Sequence, residues 1–106
     1  MSASPPFVEH IRDLLTPVGA LTDGKFFGGL AFKYRQVQFA MIMGSTLYFR
    51  VNNETRQRYE AEGSKPFSYS TKNGLVQVRK YFAVPEELLE SQEQLLEWAK
   101  QAIEAE

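Results

Sequence analysis

Phe7, Ile11, Leu14 and Leu15 recur three and four residues apart with Val8 beside them, the spacing of an amphipathic helix. Pro5 suits the first helical position, Ser4 is placed to cap free amides, and Pro17 and Gly19 end the helix near Thr16. The period then changes to two. Val37, Phe39, Met41 and Met43 alternate with Gln38, Ala40 and Ile42, and Leu47, Phe49 and Val51 alternate with Tyr48 and Arg50. Gly44-Ser45 between these strands predicts a two-residue II′ turn. A preceding strand is predicted from Lys25 to Tyr34. Its internal Gly28-Gly29 marks a bulge or a close backbone approach, and Tyr34-Arg35-Gln36 forms the hairpin after it.

Asn53-Glu54-Thr55-Arg56 opens a short helix capped by Asn52 or Asn53 and stopped at Gly63. Two more strands, Phe67 to Lys72 and Leu75 to Ala83, are joined by Asn73-Gly74, the dipeptide of a type I′ turn. Pro85 starts a helical turn. Ser91 and Gln94 have capping-box spacing for a last helix whose buried stripe is Leu95, Leu96, Ala99, Ala102 and Ile103. Strands grouped between helices predict one α+β domain over residues 1–106, an antiparallel sheet of about five strands in the order α-β-β-β-α-β-β-α. The first four residues are expected to be flexible.

Composition narrows the class. With 43% hydrophobic and 24% charged residues the chain is expected to fold, and 106 residues leave room for one core. The absence of cysteine removes disulfides, thiol catalysis and cysteine metal sites. Neither a leader pattern nor an apolar run of ~20 residues is visible, so a cytoplasmic location is expected. The net charge of −1 conceals a segregation: residues 24–82 hold ten Lys/Arg against three Glu, and residues 83–106 hold one Lys against seven Glu. The economical account is mutual neutralisation of an acidic C-terminal helix and a basic sheet; the sharper one is a basic surface for an acidic partner.

Candidate chemistry is sparse. His10 is the only histidine and lacks the partners of a metal site or an oriented general base, so it reads as a surface residue. Phe27-Gly28-Gly29 is not a phosphate loop, since no Gly-Lys-Ser/Thr or GxGxxG pattern accompanies it. Ser45, Ser64, Ser68, Ser70 and Ser91 lie in no nucleophile elbow, and Glu86, Glu87, Glu90, Glu93 and Glu97 read as a solvated face. No catalytic residue, cofactor, metal or small-molecule substrate is assigned. What remains is a basic, tyrosine-bearing sheet. Tyr48, Arg50, Tyr69, Lys72, Arg79 and Lys80 are the candidate contacts for a partner or for nucleic acid, through phosphate pairing and base stacking. Lys33 and Arg35 edge the first hairpin.

Several segments, in this order and spacing, resemble the N-terminal domain of the TfoX/Sxy competence regulators. They are Phe27-Gly28-Gly29, Leu47-Tyr48-Phe49-Arg50, Gly63-Ser64-Lys65-Pro66-Phe67-Ser68-Tyr69, Tyr81-Phe82-Ala83-Val84-Pro85 and Trp98-Ala99. The likeness runs from Phe7 to Ala102. It departs at Phe26, where such proteins often have Met, and at the glycine-free Tyr34-Arg35-Gln36. It makes Phe27, Gly28, Gly29, Gly63, Pro66 and Phe67 structural motif positions. It implies a stand-alone domain without the C-terminal helical domain of the full-length regulators. Those are transcription co-regulators working with the cyclic-AMP receptor protein at promoters of DNA-uptake genes. The expectation is a non-enzymatic regulatory module acting through protein contacts, with a transcription factor or a second copy as partner; direct nucleic-acid binding by segment 24–82 is the alternative.

Overall fold

The computed structural model describes residues 3–26 and 28–105. Helix α1 (Pro5–Leu15) runs into a 3₁₀ turn (Thr16–Val18) and then strands β1 (Leu21–Phe26), β2 (Gly29–Tyr34), β3 (Val37–Met43) and β4 (Thr46–Arg50). Helix α2 (Asn53–Ala61), β5 (Pro66–Thr71), β6 (Gly74–Ala83), a 3₁₀ turn (Glu86–Glu90) and α3 (Gln92–Glu104) complete the chain. Every strand pairing is antiparallel, in the order β1-β2-β3-β4-β6-β5. The α+β reading holds, with six strands among the described residues instead of five.

The extra strand comes from the segment read as one strand, Lys25 to Tyr34. It is two strands, with Phe26 opposite Gly29 in register and Gly28 at φ +82°. Phe27 lies outside the described residues. Gly29 answers to the close approach expected of it. A Cβ there would collide with the Met43 sulfur and with the carbonyl oxygen of Ile42, so the neighbouring backbone demands glycine.

Alternation sorts the side chains in β4 and from Ala40 onward in β3, but the expected Val37–Phe39–Met41–Met43 face splits. The β2–β3 register shifts at Phe32/Lys33, Phe39 joins Ala40 and Ile42 in one cluster, and Met41 and Met43 fall in the other. Phe32, Phe39, Ile42, Leu47, Phe49 and Phe82 join Val8, Ile11 and Leu15 of α1 and Leu95, Trp98, Ala99 and Ala102 of α3 in the main core. Each large apolar side chain buried there contributes ~1.5–3 kcal/mol. Ala31, Met41, Met43, Phe67 and Tyr81 form a second cluster, with Phe26, Tyr48, Tyr69 and Val78 packed against it. The helices therefore cover the Leu47–Phe49–Val51 face, and Tyr48 lies on the other.

The turns and caps depart from expectation in detail. The β2–β3 hairpin places Arg35 at φ +50° and Gln36 at φ +70°, a pair of left-handed residues without glycine. At the β5–β6 turn Thr71 pairs with Gly74 across Lys72 and Asn73, and the positive φ (+120°) falls on Gly74. Asn73-Gly74 is thus not the central pair of a type I′ turn; Gly74 occupies the bulge-forming position after the turn. Asn52 caps α2, its side chain accepting from the amides of Glu54 and Thr55 while Thr55 Oγ1 accepts from the Asn52 amide. Neither Ser4 nor Ser91 makes a side-chain cap, so the Ser91–Gln94 capping box does not form. The backbone of Ala3 bridges to Gly44, and the Ser4 amide donates to the Gly44 carbonyl at 2.8 Å.

Candidate functional site

Strand β6 is ten residues long, but β4 pairs only with Tyr81, Phe82 and Ala83. Gly74 to Val78 pair with β5 alone, so the two strands leave the sheet as an arm. The ladder slips at the base of that arm. Pro66 sits opposite Phe82 while its neighbour Phe67 sits opposite Val78, which leaves Arg79, Lys80 and Tyr81 bulged against one step of β5. The two exposed large hydrophobic side chains among the described residues lie on the arm: Leu75 at 64% and Val76 at 37% exposure. From Gly63 to Pro85 the sequence holds Lys65, Lys72, Arg79 and Lys80 and no acidic residue.

The bulge also builds a basic pocket. The Val51 amide donates to the Lys80 carbonyl at 2.7 Å, tying the end of β4 to the bulged stretch. Two residues later α2 begins, and Arg56, one turn in, comes back over the same place. Arg50, Val51, Asn52, Asn53, Arg56, Arg79 and Lys80 line a pocket of about 330 Å³. None of its four cations has a carboxylate of the described residues within 4.0 Å; the ion pairs among those residues are Arg12–Glu9, Arg12–Asp23 and Arg58–Glu97. Arg56 Nη1 donates to Asn53 Oδ1 at 3.2 Å, and its Nε is buried with no acceptor.

The six candidate contact residues separate into three places. Arg50, Arg79 and Lys80 meet in the pocket. Arg50 is also structural: Nε donates to the Ala102 carbonyl at 3.1 Å and Nη2 to the Ile103 carbonyl at 2.8 Å, at the C-terminal end of α3. Tyr48 and Tyr69 flank Phe67, with ring centroids 5.4 Å and 6.0 Å from it, and burial raises the Tyr48 phenol above its usual range. Lys72 stands at the tip of the arm. None of the tyrosines lines the pocket that gathers Arg50, Arg79 and Lys80. Arg56 is the pocket residue that sequence reasoning missed. Its place one turn after the Asn52 cap was visible, but the slip that brings Arg79 and Lys80 to it was not.

The mutual neutralisation expected of acidic helix and basic sheet is narrow. Among the described residues the one ion pair made by the acidic helix comes from α2 and not from a strand: Arg58 lies 3.7 Å from Glu97, 4.2 Å over the Trp98 ring, and donates to Gln101 at 3.3 Å. His10 is exposed on α1, and no cluster of three His, Cys, Asp or Glu suited to a metal ion occurs among the described residues. No helix among them is long and apolar enough to cross a membrane.

The chain matches a family model, the TfoX N-terminal domain, over residues 13–106. No curated protein matches it.

Proposed function

The chain belongs to the TfoX N-terminal domain family, and from that premise we propose a non-enzymatic, competence-regulator-like module that works by holding a protein partner. The observation that supports this reading is the arm. It joins the terminal strand β5, with its open edge, to the exposed Leu75 and Val76. An extended segment can add to such an edge by backbone pairing while apolar side chains hold it in register. Charge selects the kind of segment. Two copies of an arm carrying Lys65, Lys72, Arg79 and Lys80 without an acid repel each other, so an acidic partner strand fits better than a second arm.

Site-specific photo-crosslinking in cells tests this. A photoreactive residue at Leu75 is expected to give a discrete protein adduct that the same residue at Lys25, on the opposite edge strand, does not give. No adduct, or the same adducts from both positions, contradicts the reading.

A further inference from the structure

We propose that the pocket between the end of β4, the first turn of α2 and the β6 bulge is a phosphate-binding site. This does not depend on what the arm holds, since the pocket lies at the arm's base and its lining includes neither Leu75 nor Val76, although Arg79 and Lys80 also count toward the arm's charge. Arg50, Arg56, Arg79 and Lys80 converge on about 330 Å³ with no carboxylate among the described residues within ion-pair distance. Four cations held together repel one another, and an anion of more than one negative charge relieves that repulsion where a single carboxylate relieves little. Guanidinium groups present paired donors that match the oxygens of a phosphate.

Two details point the same way. The buried Nε of Arg56 lacks an acceptor, which a phosphate oxygen in the pocket can supply. Arg50 spends Nε and Nη2 on α3, which fixes its guanidinium in place. The amides of Glu54 and Thr55 are already bound by Asn52 Oδ1, so side chains do the holding and the positive end of α2 adds only its field. Glu54 in that first turn is the nearest acid in sequence and lines an adjoining pocket on the side of Arg58 and Gln101. The phosphate can belong to a free phosphate ester or to a nucleic-acid strand; the chemistry of the pocket is the same.

The test is an amide-resonance titration of the full chain with inorganic pyrophosphate, followed by anisotropy of a labelled mixed-sequence single-stranded oligonucleotide. Pyrophosphate is expected to move the amide signals of Asn53, Arg56, Arg79 and Lys80. An R79Q/K80Q double variant, in which neither side chain has a hydrogen-bond or ion-pair partner among the described residues, is expected to weaken binding by about tenfold or more. K25Q leaves it unchanged. Oligonucleotide binding that pyrophosphate displaces and R79Q/K80Q weakens supports the site and makes the strand its source of phosphate. Pyrophosphate binding without oligonucleotide binding supports the site with a free ester as ligand. Unmoved signals at millimolar pyrophosphate, or equal weakening by K25Q, overturn the proposal. R56Q, at a third position, repeats the comparison.

Discussion

Arg50 holds the end of α3: its guanidinium donates to the carbonyls of Ala102 and Ile103, 52 and 53 residues away in sequence. Those carbonyls lie in the last turn, at the helix's negative end, and that of Ala102 also accepts from the Ala105 amide at 3.4 Å. The contact fastens the C-terminal helix to the end of the central strand β4. Arg50→Ala is expected to cost about 2 kcal/mol, read as a lower urea midpoint. Arg50→Lys should recover less than half, because an ammonium cannot reproduce two fork-shaped bonds. Loss of ligand binding in either variant therefore says little about the pocket, which is why Arg79 and Lys80 serve there.

Gly29 tolerates no side chain. Gly29→Ala drives a methyl into the Met43 sulfur and the Ile42 carbonyl, and a loss of about 3 kcal/mol or insoluble expression is expected. Combining it with Met43→Ala should not restore stability, because the Ile42 carbonyl is backbone. Full rescue by that pair would show the sulfur to be the sole obstacle.

Arg35 and Gln36 hold left-handed backbone that asparagine and glycine adopt more easily. Replacing both with Asn-Gly is expected to raise stability by about 1 kcal/mol in thermal or urea unfolding. The gain is reduced by whatever Arg35 contributes at 5.3 Å over the Tyr34 ring.

Much of the fold was legible because it is periodic. α1, β3, β4 and α3 carry long apolar stripes and each formed as an element where its pattern placed it, although the β3 stripe divides between the two clusters at the register shift opposite Phe32 and Lys33. β1 was missed because Leu21-Thr-Asp-Gly-Lys-Phe26 has apolar residues only at its ends, as an edge strand with little to bury can. The Gly28-Gly29 pair then passed for a flaw inside one strand. Asn73-Gly74 misled by one position, since the same dipeptide also suits a turn whose glycine forms the bulge that follows it. The cations of the pocket could be named from sequence, all but Arg56. Their meeting could not, because it depends on a register slip that no local pattern announces.

Tyr59 is buried beside Trp98, ring centroids 4.6 Å apart, and its hydroxyl finds no partner. Tyr59→Phe keeps the ring contacts and removes that hydroxyl, so stability is expected to hold or to rise by about 1 kcal/mol. Burial lifts the phenol above its ordinary value of 10.0. The unfolded chain therefore ionises first as pH rises past that value, and stability falls. The Phe variant should lose that part of the alkaline decline in unfolding measured across pH.

Arg12 joins α1 to β1 through two bonds to the Asp23 carboxylate, at 2.8 and 2.7 Å, which lower the Asp23 pKa from 3.8. The contribution is present above 3.8 and is lost as pH falls through the lower folded-state value. The pair is substantially solvated, so Asp23→Asn should cost under ~1 kcal/mol at neutral pH. The difference between wild type and variant should vanish in strong acid.

The most direct test of the arm as a binding element separates it from the fold. Deleting Ser70 to Leu75 and joining Tyr69 to Val76, which already pair in register, through Asn-Gly shortens the arm while keeping Tyr69 and Val78 at the second cluster. The measurement is the yield of partner adduct from a photoreactive residue at Ser68, in the full and the shortened chain, beside the thermal midpoint of each. The account predicts a cooperative transition close to that of the full chain and loss of the adduct. A shortened chain that fails to fold, or that folds and keeps its adduct undiminished, would contradict it.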